Sequence, residues 1–597
     1  MKPIDRPATA NEGGNRIVLA RILAAIGTVV ILAHLVSGRS SGEGLGLIRQ
    51  PAVQTPQFDV PDPRFGVIES FESPADADGL NAGWTRIIFQ WSRAQAGGPD
   101  SWTPKITDEQ IEADIAAGRE VVGLLIGIPE WARDENRLPK GLWLAYDEPA
   151  NTWANYVREV VTRYQGRISH WIIWNEPDIR ETEIAHTWDG SVADFAQLLR
   201  VAYLTAKESD PDAVIHLSAF TYWADYYGGT EQYMARLLDE IMADPQAADH
   251  NHYFDIATAH LYFQPNQVYD LLDFFTEIMR QRGLDQPIWL AETNAPPRDD
   301  PEWPVPDWFL SVTLEEQAAF IPQALASAMA AGADRIAVYK LRDNEEDRFA
   351  NPEPFGLVRM DGTHRPAYDT YRLAIEQLSG MTGVERERWD SVGQIRIDQP
   401  GKSTTVLFAR LPSQQVAQVE ARFDSAVLVD MWGVSQAITP DNGYFDIELS
   451  AASCSQSIGD FCMIGGLTYY LVQTEPAPPT ALPPPPITAT PPLTPTPPAT
   501  AAATAASSAV DGSTDSPNTP PETTLIPTLM PTNTPHESQI PTRLPAVSPA
   551  ATAKDTMTLV PSEQVPVNSA AVGLWFLGGG ILLAGIFLSY WIIRRGK

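Results

Sequence analysis

The chain has 597 residues, with 42 Lys and Arg against 75 Asp and Glu, a formal net charge of −33. That length is too great for a single domain. So acidic a chain is unsuited to nucleic acid, whose phosphates demand clustered Lys and Arg.

Residues 1–40 place Lys2, Arg6, Arg16 and Arg21 around the start of an apolar run, 22–36. This is the layout of a signal peptide or signal anchor, and it predicts that the following chain is exported. Residues 41–63 form a lead-in containing Gly, Ser and Pro.

From 64 to 382, short apolar runs alternate with longer amphipathic stretches. The runs predict strands at 65–71, 84–91, 120–127, 168–174, 213–219, 254–261, 287–291 and 335–341. Helical spacing is found at 108–117, 152–164, 192–208, 231–243, 268–282 and 314–331. No helix is evident between Phe71 and Trp84. The alternation predicts a closed parallel (β/α)8 barrel of the TIM type. The competing doubly wound sheet lacks its glycine-rich phosphate turn after the first strand.

Residues 383–474 change to a period of two, as in Thr404-Thr405-Val406-Leu407-Phe408-Ala409, and Asp441-Asn442-Gly443 signals a tight turn. A small antiparallel, β-sandwich-like domain with a structural role is expected. It contains both cysteines, Cys454 and Cys462, which suit neither a metal cluster nor a redox motif. Outside the cytoplasm this pair is expected to close a small loop as a disulfide.

Residues 475–569 are dominated by Pro, Thr, Ala and Ser, too poor in apolar side chains to fold, and are expected to be a disordered linker. The apolar stretch 570–593 precedes Arg594-Arg595-Gly596-Lys597. Such a stretch is long enough to span a bilayer, with the basic tail of 594–597 on the cytoplasmic side. The expected location is therefore the cell membrane, with the folded domains outside.

The chemistry is sought at two strand ends. Trp171-Ile172-Ile173-Trp174 runs into Asn175-Glu176-Pro177-Asp178. Pro287-Ile288-Trp289-Leu290-Ala291 runs into Glu292-Thr293-Asn294. Proline has no N–H for a ladder, so the first strand must stop by Pro177. In the strand count, Glu176 ends the fourth strand and Glu292 the seventh. Two carboxylates on the C-terminal rim of a barrel are what glycosidic cleavage needs: a proton donor and a nucleophile or base. Asn175 is placed to hydrogen-bond a sugar 2-hydroxyl.

These strings resemble clan A glycoside hydrolases, most closely families thirty-nine and five. That resemblance covers roughly residues 65–475. It implies a retaining enzyme with Glu176 as acid/base and Glu292 as nucleophile, the carboxyls about 5–5.5 Å apart. It also implies that Tyr262 holds the nucleophile, that His260 lines the sugar site, and that Arg86 keeps the nucleophile ionised. Glu130, Trp131, Trp308, Tyr339 and Lys340 are candidate sugar contacts, since aromatic faces stack on pyranose rings. The chain departs from the family pattern in having no Trp at the end of the eighth strand.

The expected substrate is a β-linked oligo- or polysaccharide. No metal motif stands out, and the reaction class needs no cofactor. Two other readings remain open: a catalytically silent carbohydrate-binding or adhesion protein on the same scaffold, and a transglycosylase.

Overall fold

The computed structural model describes residues 60–180, 185–306, 310–347 and 353–475. The expected signal segment, the linker, the transmembrane helix and Trp308 lie outside the described residues. Among those described, no helix is long and apolar enough to cross a membrane.

Eight parallel strands close into a barrel in chain order: β1 (Phe65–Ile68), β2 (Trp84–Gln90), β3 (Glu120–Ile126), β4 (His170–Ile173), β5 (Val214–Phe220), β6 (Ile256–His260), β7 (Ile288–Thr293) and β8 (Ile336–Val338). Closure is made by β8 on β1, with Phe65 opposite Ile336 and Val67 opposite Val338. A helix follows each strand: α1 (Pro74–Leu80), α2 (Asp108–Ala116), α3 (Thr152–Tyr164), α4 (Val192–Ser209), α5 (Tyr233–Ala243), α6 (Pro265–Arg280), α7 (Leu314–Ala330) and α8 (Pro366–Leu378). The closed barrel excludes the doubly wound alternative.

The strands read as continuous apolar runs because both their faces are buried. One face packs outward on the helices, as with Ile87, Phe89, Trp171 and Ile173. The other fills the barrel interior with Ile68, Trp84, Val122, Leu124, Ile172 and Trp289. Two strand glycines make room for indoles. A Cβ at Gly66 would meet the Trp84 ring at 2.3 Å, and one at Gly123 would meet Trp171 at 2.4 Å.

Helix α1 corrects the expectation that the first unit lacks one. Its seven residues start with Pro74 at the first helical position and stop at Asn81, which takes the left-handed conformation. Two turns are too few to show a helical period. Its Gly79 instead admits the Tyr368 hydroxyl of α8, which a Cβ would meet at 2.4 Å.

The N-terminal end of the barrel is plugged by polar residues. His170 Nδ1 lies 2.8 Å from His216 Nε2, and its Nε2 lies 2.9 Å from Glu120, which also pairs with Arg335. Burial, and then the charges of His170 and Arg335, push the fully enclosed His216 well below the usual histidine range. Burial alone would raise Glu120, but the His170 hydrogen bond and the His170 and Arg335 charges bring it to about 2.

Both shifts give linkage of the same sign. His216 stays neutral while the unfolded chain takes up a proton below about pH 6.5, so stability falls as acid is added. Glu120 contributes stability above 4.5 that is lost as the pH falls toward about 2. Taken alone, these two groups lower the urea midpoint from pH 7 to pH 4, against the opposite slope of buried carboxyls that stay protonated. The His216→Gln variant is expected to lose up to about 1.4 kcal/mol per pH unit of that slope below pH 6.5. Parallel curves for the two proteins would count against it.

The second domain is antiparallel. Its strands are β9 (Gly383–Trp389), β10 (Val392–Gln399), β11 (Lys402–Ala409), β12 (Gln415–Glu420), β13 (Ala426–Asp430), β14 (Ser435–Ile438), β15 (Tyr444–Leu449), β16 (Ser457–Ile458), β17 (Phe461–Cys462) and β18 (Tyr469–Thr474). Six form a sheet in the order β14-β13-β18-β11-β10-β9, and the β12–β15 pair covers it over Val392, Leu407, Phe445, Ile447 and Leu471. The expected turn is present, with positive φ at Asn442 and Gly443 and reciprocal backbone bonds between Asp441 and Tyr444.

Cys454 and Cys462 are joined as a disulfide. The domain is fixed to the barrel through α7. Buried Gln323 donates to Gly466 O at 2.9 Å and accepts from Gly465 N at 3.0 Å, so an interface amide is fully used.

Candidate active site

Two local departures from regular strand geometry set the site at the C-terminal mouth of the barrel. In β4, His170 and Ile172 face inward. Trp174 would follow them by alternation, but its φ of 71° breaks the pattern. Its indole instead packs outward against Trp153 and Trp188. The chain continues with Asn175 bridged to Ala219 of β5, and then Glu176, itself at φ 47°. Non-glycine residues in the left-handed region cost of order 1–3 kcal/mol each and gather at functional sites.

In β7, Trp289 faces inward and Leu290 outward. Alternation alone would send Glu292 outward with Leu290. The β6–β7 register shifts there: Ala259 pairs with Leu290, but His260 pairs with Glu292. The extra residue, Ala291, is a bulge, and bulges re-aim the side chains beyond them. Glu292 thereby turns into the barrel, 6% exposed.

On β6, Ile256 lies in the interior, and His260 and Tyr262 follow it at even spacing. His260 Nδ1 lies 2.6 Å from Glu176 Oε1 and 3.5 Å from Glu292 Oε2. The Tyr262 hydroxyl donates to Glu292 Oε2. From β2, Arg86, two residues after inward-facing Trp84, pairs with Glu292 Oε1. An oxygen of Glu176 and one of Glu292 come within 4.8 Å of each other. Residues from β2, β4, β6 and β7 thus meet around one gap.

The charges follow from this packing. Burial alone would raise the Glu292 carboxyl, but the charges of Arg86 and His260 and the bonds from Tyr262 and Arg86 hold it below its usual range. Burial and the Glu292 charge push the Tyr262 hydroxyl well above its ordinary value. Glu292 is thus kept as an anion with its proton donors fixed. The cluster of Glu176, His260 and Glu292 also has the donor types for a metal ion. Its donors are already spent on one another, and the buried Arg86 guanidinium supplies the cation.

Other expected residues are placed as follows. The Asn175 carbonyl accepts from Thr187 Oγ1 at 2.6 Å, and its side-chain amide has no partner among the described residues. Tyr339 follows β8 directly, with its ring 5.6 Å from Phe355 and 6.3 Å from Tyr262.

Trp131 is spent on the wall. Its N–H donates to Gln95 O at 2.6 Å and its ring meets Trp91 edge-on. None of its contacts among the described residues reaches the glutamates. Glu130 points to solvent and pairs with Arg133 at 3.1 Å. Lys340 is not a sugar contact: it is 2% exposed and bound to Glu69 at 2.7 Å, Glu72 at 3.1 Å and Asp347 at 3.2 Å.

Asp178 carries more than its place in the motif suggests. Its Oδ2 accepts from Thr221 N at 2.7 Å, Thr221 Oγ1 at 2.9 Å and Tyr222 N at 3.2 Å. These bonds tie the Glu176 loop to the loop after β5. Burial, opposed by the Thr221 bonds and reinforced by the Glu176 charge, lifts its carboxyl to about 7.

The folded state therefore holds a proton that the unfolded chain releases at about 3.8, and stability is lost as the pH rises from 3.8 toward 7. Asn at this position keeps an acceptor for Thr221 and Tyr222. The Asp178→Asn variant is expected to gain up to about 4 kcal/mol over the wild type at pH 8, and little at pH 4. A gain in urea midpoint independent of pH would overturn this.

No family model matches the sequence. Among solved structures, the chain is similar to a family 39 glycoside hydrolase from the gut symbiont Bacteroides cellulosilyticus WH2, with 15% identity over 69% of this chain and 81% of that one, and a TM-score of 0.51. It is also matched to a glucosidase from Croceicoccus marinus, with 13% identity over 68% of this chain and 92% of that one, and a TM-score of 0.46. The expected likeness to family thirty-nine is thus met at the level of the fold, a (β/α)8 barrel.

Proposed function

We propose that the protein is a retaining glycoside hydrolase acting on β-linked sugars by double displacement. The observation that carries this reading is the pairing of Glu176 and Glu292 across one gap, with oxygens within 4.8 Å. Inverting enzymes keep their carboxyls about 6.5–9.5 Å apart to admit a water, whereas retaining ones hold them about 5–5.5 Å apart. The silent-binder reading is disfavoured, because a binder has no need of an anion buried against Arg86 and Tyr262.

In the first step, Glu292 attacks the anomeric carbon and Glu176 gives its proton to the departing oxygen. In the tautomer whose Nδ1–H donates from His260 to Glu176 Oε1, the proton for the leaving group is carried on Oε2. As the Glu292 ester forms, its negative charge is lost, while Arg86 and Tyr262 keep the carboxyl in line. In the second step Glu176, now ionised, takes a proton from water, which attacks the same carbon and frees Glu292. An acceptor sugar in place of water would give transglycosylation through the same intermediate. The Asn175 amide, without a partner among the described residues, is proposed to bind the sugar 2-hydroxyl, and Tyr339 offers a ring face for the first sugar.

A 2-fluoro β-glycoside with a good leaving group tests this reading. Mass spectrometry is expected to find one fluorosugar on the peptide containing Glu292, and none on the Glu292→Gln variant. Glycan binding without labelling or turnover across a broad panel would favour the silent binder.

The proposed location is the outer face of a cell membrane. The one-sided basic residues before 22–36 and the apolar 570–593 segment support it, as does a disulfide, which persists in oxidising compartments. Turnover by intact cells of a substrate that does not enter them is the expected result; turnover only after lysis would refute it.

A further inference from the structure

The loop after β5 carries Tyr222, Trp223, Tyr226 and Tyr227. The helical turn Trp223–Gly228 arranges them at a spacing of four, which brings side chains together on one face. Tyr222 stacks on Tyr226 with centroids 5.4 Å apart, and Trp223 stacks on Tyr227 at 5.8 Å. Phe274 of α6 closes the edge against Tyr222 at 5.6 Å. Tyr227 is 74% exposed, Tyr226 56% and Phe274 39%. A contiguous exposed aromatic patch of this kind marks a binding surface.

The loop that carries the patch is tied to the loop that carries Glu176. Parallel strands put the C-terminal ends of β4 and β5 at the same mouth. The Thr221 and Tyr222 amides that open the aromatic turn both donate to Asp178, two residues beyond Glu176. Both loops lie at the C-terminal mouth of the barrel, the end that holds the candidate active site.

We propose that this patch is a distal glycan subsite holding pyranose units of a β-linked polysaccharide outside the cleft. This rests on the hydrolase reading and adds to it that the substrate is a long chain. Tyrosine and tryptophan combine a ring face for sugar C–H surfaces with a polar group for hydroxyls, which suits a wet, amphipathic ligand better than a purely apolar one. The net charge of −33 works against an anionic lipid surface.

The test uses the full chain with Tyr226→Ala and Tyr227→Ala together, both exposed and outside the catalytic cluster. Native gels containing soluble xylan or mixed-linkage β-glucan measure binding in a Glu292→Gln background, and kinetics are measured with Glu292 intact. At least one polysaccharide is expected to retard the parent protein and to bind the double variant about tenfold more weakly. KM on that polysaccharide is expected to rise by a similar factor, with kcat/KM on an aryl β-glycoside unchanged.

Equal migration of parent and variant across the panel overturns the proposal. So does a patch-dependent change confined to oligomeric state in light scattering, or to sedimentation with lipid vesicles. Loss of the hydrolase reading looks different: no glycoside is turned over, whatever the gels show.

Discussion

Replacing Glu176 with Ala is expected to slow cleavage of polysaccharides and other substrates with poor leaving groups by about 10²–10⁴-fold, the usual contribution of a positioned general acid. The loss depends on the leaving group. On the proposed mechanism a dinitrophenolate departs without a proton, so Glu292, held ionised by Arg86 and Tyr262, still attacks and the glycosyl-enzyme still forms. Its hydrolysis then stalls, because no base activates water.

Added azide needs no base, and the missing side chain leaves it room. Dinitrophenyl glycosides are therefore expected to show a burst followed by slow turnover, with azide restoring the rate and giving a β-glycosyl azide. An equal loss on all leaving groups, without rescue, would remove Glu176 from the acid/base role. An α-azide product would instead remove the covalent intermediate.

The main features of the candidate site were legible because its residues sit where strands must end. Glu176 follows a buried run and precedes a proline, so its place on the rim follows from local chemistry. The barrel was legible because strands buried on both faces are uninterrupted apolar runs. Helix α1 was not, being two turns long and stopped by the left-handed Asn81.

The inward aim of Glu292 depends on the bulge at Ala291, which the string Leu-Ala-Glu-Thr does not announce. Lys340 reads as a polar rim residue beside Tyr339. Its burial depends on carboxylates from the segment after β1, some 270 positions earlier in the chain, and no periodicity records that pairing. Asp178 is similar: its bonds come from Thr221 and Tyr222, brought near only when β4 and β5 lie side by side.

The largest loss of stability is expected from Arg365→Met. Arg365 is 1% exposed at the start of α8. Its Nε donates to Asp300 Oδ2 at 2.7 Å, and one terminal nitrogen donates to Asp343 Oδ2 at 2.6 Å and to the Gly356 carbonyl. Asp343 in turn accepts from Gly356 N at 2.7 Å. Asp300 and Asp343 are almost wholly buried.

A methionine fills much the same volume but leaves Asp343 without its cation. Asp300 is less affected, because Arg359 still donates to it at 2.8 Å. Breaking a buried pair from one side costs about 3–5 kcal/mol, and the remaining Arg359 bond places this case near 3. A second change, Asp343→Asn, removes the stranded charge while keeping an acceptor for Gly356 N. The double variant is expected to be more stable than Arg365→Met alone, a coupling that a double-mutant cycle reads directly.

The loss also bears on the site. Gly356 follows Phe355, whose ring meets both Tyr262 and Tyr339. A slackened strap there frees the donor to Glu292, so kcat on an aryl glycoside is expected to fall in the folded variant and recover in the double one. Urea midpoints that are unchanged in the single variant, or two losses that simply add, would show that Arg365 is not what holds this strap.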